Sequence, residues 1–210
     1  MHKYSIKINL IFLGFINCQI KALLYLMENH KYWSIPNFYL DEEKDIEIAS
    51  KQALSKLIYN DLSNSIFINF QTKIDDNLPS CVSLSYVVIN KFEKLRLRYN
   101  SNLSDVNWFE LNELPKLNEK QSFNIKKSKR FLETLIINSP KKILYFLPKY
   151  FTLSELQYAF QTLVPDNKNF LEKRNFRKWM KKYNHSKGFF VETKNFKHGK
   201  HRPAKLFTAL

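Results

Sequence analysis

One stretch constrains this chain more than any other. Between residues 171 and 183 two stripes run along the same helical period. Phe176, Trp179, Met180 and Tyr183 fall at i, i+3, i+4 and i+7, and Arg174, Arg177, Lys178 and Lys181 repeat that spacing on the other side. Such a period predicts a helix with an aromatic face for a core and a cationic face for a partner. A charged face is commonly only solvated, so its surroundings matter. Ahead of it, Thr152-Leu153-Ser154-Glu155 forms a capping box that opens a helix with Leu156, Ala159, Phe160 and Leu163 on one side. Pro165-Asp166-Asn167 turns the chain. Beyond the second helix, 189–193 reads as a strand, 194–202 as a basic loop around Gly199, and 203–210 as a returning strand. Helix, turn, helix and basic hairpin is the order of a winged helix, in which the second helix enters the major groove of DNA.

The charge balance supports this. Residues 141–210 carry 16 Lys/Arg against 4 Asp/Glu, whereas 1–140 carry 18 against 15. An AT-rich genome explains a general surplus of lysine but not the loss of acids at one end. The pattern expects a near-neutral unit followed by one that meets a polyanion. On the helix side the candidate DNA contacts are Thr152, Ser154, Lys173, Arg174, Asn175, Arg177, Lys178 and Lys181. On the wing they are Lys194, Lys197, Lys200 and Arg202.

The front of the chain reads as α+β. Residues 4–15 and 19–27 are expected strands joined by a short turn, with a third at 32–35. Helical periodicity covers 45–59, then strands follow at 66–74, 82–90 and 107–111, and a helix at 124–138 ends at Pro140. Cys18 and Cys81 show no metal-ligand spacing and read as small buried hydrophobes in a reducing compartment, the cytoplasm. The apolar run 8–16 followed by Cys18 has some look of a lipoprotein signal. However, Asn17 stands where a small residue belongs, and a second apolar stretch follows at once, so a strand is expected. No run reaches the roughly 20 apolar residues of a membrane span. His198 and His201 lie three apart without a cysteine nearby and suggest no metal site.

Several segments resemble the Nudix-related transcription regulators, bacterial proteins with a Nudix-like domain ahead of a winged helix. Phe151-Thr152-Leu153-Ser154-Glu155-Leu156-Gln157, Lys173-Arg174-Asn175-Phe176-Arg177 and Arg202-Pro203-Ala204-Lys205-Leu206-Phe207 are similar to their C-terminal domain. Residues 4–27, Trp33-Ser34-Ile35-Pro36 and the 108–115 segment ending Glu113-Leu114-Pro115 resemble parts of the Nudix domain. The resemblance implies a Nudix-like α/β/α sandwich over 1–118, a connecting helix and linker over 119–145, and a winged helix over 146–210. It further implies a homodimer on double-stranded DNA and a small effector: ADP-ribose, a related nucleotide or a sugar. The effector's site is not readable.

Laid on the Nudix box, Asn37 takes the first glycine position and Glu43 matches the glutamate. Lys51 and Gln52 take the Arg-Glu positions, Ser55 and Lys56 the Glu-Glu positions, and Ile58 the second glycine. Nudix chemistry needs clustered carboxylates to hold Mg²⁺ against a pyrophosphate. The expectation is therefore a regulator with no catalytic residues, metal or cofactor. The alternatives are a divergent pyrophosphohydrolase with an added nucleic-acid-binding domain, or a nonspecific nucleic-acid or RNA-binding protein.

Overall fold

The computed structural model describes residues 5–40, 45–75, 78–91, 96–98, 103–198 and 203–210. The chain divides into two compact units, Met1–Gly14 with Lys21–Phe131, and Phe15–Ile20 with Leu132–Leu210.

The first unit is built on a six-stranded sheet. Its strands are β1 (Ser5–Ile16), β2 (Gln19–Met27), β3 (Asn37–Leu40), β4 (Ile66–Asp75), β5 (Leu78–Asn90) and β6 (Leu103–Glu110). The order is β4-β5-β1-β2-β6, with β3 also pairing to β1. The 8–16 apolar run is central strand β1, which pairs in parallel with β5 and antiparallel with β3. A strand buried on both faces needs a near-continuous apolar run. Ile8, Leu10 and Phe12 enter one core cluster with Leu54, Leu57 and Ile58, from and just after helix α1 (Ile46–Ser55). Asp45 caps α1, its Oδ1 accepting the Glu47 and Ile48 N–H at 2.8 and 3.0 Å. The β1–β2 turn places both Asn17 and Cys18 at positive φ, 51° and 65°, the backbone of a tight two-residue hairpin.

Several boundaries differ from the sequence pattern: α1 ends at Ser55 rather than at 59, and β5 and β6 begin at Leu78 and Leu103 rather than at 82 and 107. The third strand is not 32–35: Trp33 and Ser34 make only isolated bridges, and regular pairing begins at Asn37. Pro36, without an N–H, separates the two. Helix α2 (Glu119–Asn138) starts before residue 124, because Asn118 Oδ1 accepts the Gln121 N–H at 2.9 Å and caps it.

The second unit holds a 3-10 turn at Pro140–Tyr145, helices α3 (Leu153–Leu163), α4 (Lys168–Leu171) and α5 (Lys173–Lys187), and a hairpin of β7 (Phe190–Lys197) and β8 (Ala204–Ala209). Phe151 adds a bridge to Phe207. The aromatic stripe of α5 meets α3 and α4 as expected: Phe160 lies 4.6 Å from Phe170 and 5.9 Å from Phe176, and Trp179 lies 4.9 Å from Phe170. Gln157 and Gln161 both donate to the Phe170 carbonyl, fixing the turn between helices. Glu172 is extended, so the second helix is two pieces, one turn and then α5. Gly188 ends α5 in the left-handed region. Among the described residues, no helix is long and apolar enough to cross a membrane.

Candidate nucleic-acid interface

The outward face of α5 carries Lys173, Arg174, Arg177, Lys178 and Lys181, all exposed. None of the five has a carboxylate within ion-pair distance among the described residues. Five unneutralised cations on one rigid helix make a concentrated positive field, whereas a solvated face commonly interleaves both signs. Asn175 is also exposed, its amide donating to Glu172 at 3.3 Å. The helix continues past Tyr183, where the sequence pattern ended it. His185 therefore joins Lys178, Lys181 and Lys182 along one shallow groove. Gly188 was the signal available for this longer helix, as the ordinary residue after a helix end.

The other candidates divide. Ser154 is exposed in the first turn of α3. Thr152 is buried, with 6% exposure. Its Oγ1 accepts the Glu155 N–H at 3.2 Å, and Glu155 Oε2 accepts the Thr152 N–H at 2.7 Å and its hydroxyl at 3.0 Å. The capping box thus engages the Thr152 side chain and removes it from any outer surface.

On the hairpin, β7 runs on to Lys197, so Lys194 and Lys197 stand on a strand rather than in a loop. Lys194 is exposed. Lys197 donates to Glu155 Oε1 at 2.6 Å, which ties β7 to the start of α3. That hydrogen bond, helped by the Glu155 charge, holds the Lys197 ammonium above the usual lysine range against a smaller effect of burial. The Phe15–Ile20 turn groups with this unit, and burial pushes the Cys18 thiol up, with Glu155 adding to the rise and Lys197 opposing it. Lys200 and Arg202, with Gly199 and His201, lie outside the described residues.

The first unit has its own cleft, of about 720 Å³, a size usual for small-molecule sites. Lys7 and Asn9 of β1, Asn37, Lys73 and Ser83 line its sheet side, and Asn118, Gln121 and Phe123 its helix side. Asn9 donates to Ser83 Oγ at 2.8 Å, a buried polar pair within the sheet. Gln121 Oε1 accepts the Ile35 N–H at 3.1 Å and ties the start of α2 to the segment before β3. Lys7, Lys73 and Lys120 outnumber Glu119 along the walls. No spacing rule could find this cleft, because its residues come from four strands and a helix.

Residues 143–209 match the family model of the NrtR DNA-binding winged helix domain. The C-terminal unit is an NrtR-type winged helix. The likeness in fold extends over nearly the whole chain. A structure of NrtR from Shewanella oneidensis superposes with a TM-score of 0.66 at 19% identity, covering 98% of this chain and 94% of that one. The same protein in complex with a 27mer DNA gives 0.65 at 18% identity, covering 98% and 93%. A MutT/nudix family protein from Enterococcus faecalis gives 0.67 at 17% identity, covering 99% and 87%. No curated protein matches the chain by sequence. The chain is accordingly α+β, a Nudix-like unit followed by an NrtR-type winged helix.

Three Nudix-box positions where the family has glutamates fall on or just after α1 and are held by Gln52, Ser55 and Lys56. Along α1, Lys51 is paired with Glu47 at 2.6 Å, the Ser55 hydroxyl donates to the Gln52 carbonyl at 2.8 Å, and Lys56 follows as the C-cap. An amide, a hydroxyl and one cation, of Gln52, Ser55 and Lys56, thus stand at positions where Nudix chemistry uses carboxylates. Among the described residues, no three His, Cys, Asp or Glu side chains gather as a metal site. Glu43 lies outside the described residues.

Proposed function

We propose that this chain is a cytoplasmic transcription regulator that binds operator DNA through α5 and the β7–β8 hairpin. In this reading the Nudix-like unit serves as a sensor and does not hydrolyse its ligand. The observation that carries it is the unpaired cationic face of α5 on an NrtR-type winged helix. Lysines there neutralise phosphates, while Arg174 and Arg177 can make forked bonds to guanine edges. Ser154 supports the phosphate contacts from the first turn of α3. A homodimer would present two such helices to a palindromic site. The 720 Å³ cleft, rich in lysine and amide groups, suits a phosphorylated effector such as ADP-ribose, a related nucleotide or a sugar phosphate.

Selection of bound duplexes from a random pool by the full chain tests the reading. Enrichment of a palindrome with half-sites about one or more helical turns apart is expected; recovery of unrelated sequences would reduce the protein to a nonspecific binder. A second assay addresses the hydrolase alternative. Turnover of ADP-ribose, NADH or nucleoside triphosphates with Mg²⁺ or Mn²⁺, abolished by chelator, would establish an enzyme.

A further inference from the structure

The hairpin holds an aromatic that the cationic reading does not use. Along β7, Glu192 faces Phe207 and Phe196 faces Lys205, so β7 fits Thr193, Lys194 and Asn195 where β8 has only Leu206. This irregularity is built rather than frayed. The Thr193 hydroxyl donates to the Leu206 carbonyl at 2.9 Å, and the Asn195 N–H donates to Thr193 Oγ1 at 3.2 Å. Bulges of this kind re-aim a side chain and recur beside functional sites. One residue past Phe196, the 2.6 Å contact of Lys197 with Glu155 pins the strand. Phe196 therefore sits between two anchors, and yet it is 47% exposed. Its neighbours in sequence are Lys194, Asn195, Lys197 and His198. Glu192, the one carboxylate among the described residues of the hairpin, is already paired with Lys205.

We propose that Phe196 is an apolar DNA contact, packing against the minor-groove wall of a bound duplex while Lys194 meets a phosphate beside it. An isolated exposed apolar side chain ordinarily needs no explanation. This one is held in place on a hairpin whose single described carboxylate is already paired, two residues from the exposed Lys194, a setting that suits a polyanion with an apolar groove wall and not an apolar protein surface. Aromatic and aliphatic side chains serve DNA-binding proteins in this way, against or between base steps. Fixing the ring in advance lowers the entropy lost on binding. The contact adds affinity without releasing counterions, so it is separable from the lysines by its salt dependence.

This inference rests on the DNA-binding reading, and its test keeps the two apart. The full chain is titrated onto the duplex recovered by selection, between 50 and 200 mM salt, as wild type, Phe196→Ala, Phe196→Leu and Lys194→Ala. Phe196→Ala is expected to weaken binding about tenfold at every salt concentration, on the scale of a lost aromatic–base contact, with an unchanged log–log slope. Phe196→Leu should lose less, and Lys194→Ala should flatten the slope. Thermal melting checks that each variant is folded; if the alanine variant unfolds, the leucine variant reports on the same contact. Unchanged affinity in Phe196→Ala overturns the inference and leaves DNA binding standing. A wild-type chain that binds no duplex removes both. Loss of affinity accompanied by a change in sedimentation makes Phe196 a protein contact and overturns the inference as well.

Discussion

Glu155 is the residue whose replacement tests the most structure at once. It is 8% exposed, and its two oxygens serve different partners. Oε2 accepts from the Thr152 N–H at 2.7 Å and from its hydroxyl, while Oε1 accepts from Lys197 at 2.6 Å. Glu155→Ala removes a helix cap, worth about 1 kcal/mol. It also leaves the Thr152 N–H buried without a partner, a further cost of about 1–3 kcal/mol. Together these predict a loss of about 2–4 kcal/mol, and a fall in the melting midpoint on the order of 10 °C for a unit of this size. Glu155→Gln keeps an oxygen for Thr152 and loses only the charge facing Lys197. The Lys197 side chain is 57% exposed, so that loss should stay below about 1 kcal/mol. Urea and thermal denaturation of both variants measure the difference. A glutamine variant as unstable as the alanine variant would show that the ion pair, not the cap, holds this corner; an alanine variant within about 0.5 kcal/mol of wild type would refute both roles. The pH dependence has a definite sign. The folded state raises the Lys197 pKa, so the pair's contribution is fully present at neutral pH and is lost only as pH rises beyond the ordinary lysine range.

Other outcomes follow from the same geometry. Arg177→Ala should lower operator affinity by roughly 1–3 kcal/mol and affinity for random duplex by less; equal losses in a binding titration would reduce Arg177 to a phosphate contact. Lys197→Ala should leave the salt slope of DNA binding nearly unchanged, because Glu155 already neutralises Lys197, and the slope measured from 50 to 200 mM salt decides this. Cys18→Gly should raise stability in urea denaturation by about 1 kcal/mol, since Cys18 holds a positive φ that side chains disfavour. Gly188→Ala should lower it by a similar amount, although a Cβ there would have ordinary clearance, 3.6 Å from Leu210 Cδ1.

What the sequence determined by itself is what repeats within a few residues. The two stripes of α5 follow from i, i+3 and i+4 spacing, the Thr152–Glu155 box from a three-residue offset, and the β1–β2 hairpin from two apolar runs around Asn17-Cys18. The change at the Nudix-box positions is equally legible, because Gln52, Ser55 and Lys56 stand where the family pattern has glutamates, whatever the chain does elsewhere. Tertiary structure decided the rest. The parallel pairing of β1 with β5 brings Lys7 opposite Ser83, and only that register, with β3 and β4, assembles the cleft. Lys197 and Lys194 look alike as basic residues of a wing, yet one is tied to Glu155, 42 residues away, and the other is left for a partner. Thr152 is a good capping residue by its position and is hidden for the same reason. For the cleft and for Lys197, local spacing sets which face a side chain takes, whereas the group it meets there is supplied by a strand or helix distant in sequence, through packing that no short window of residues contains.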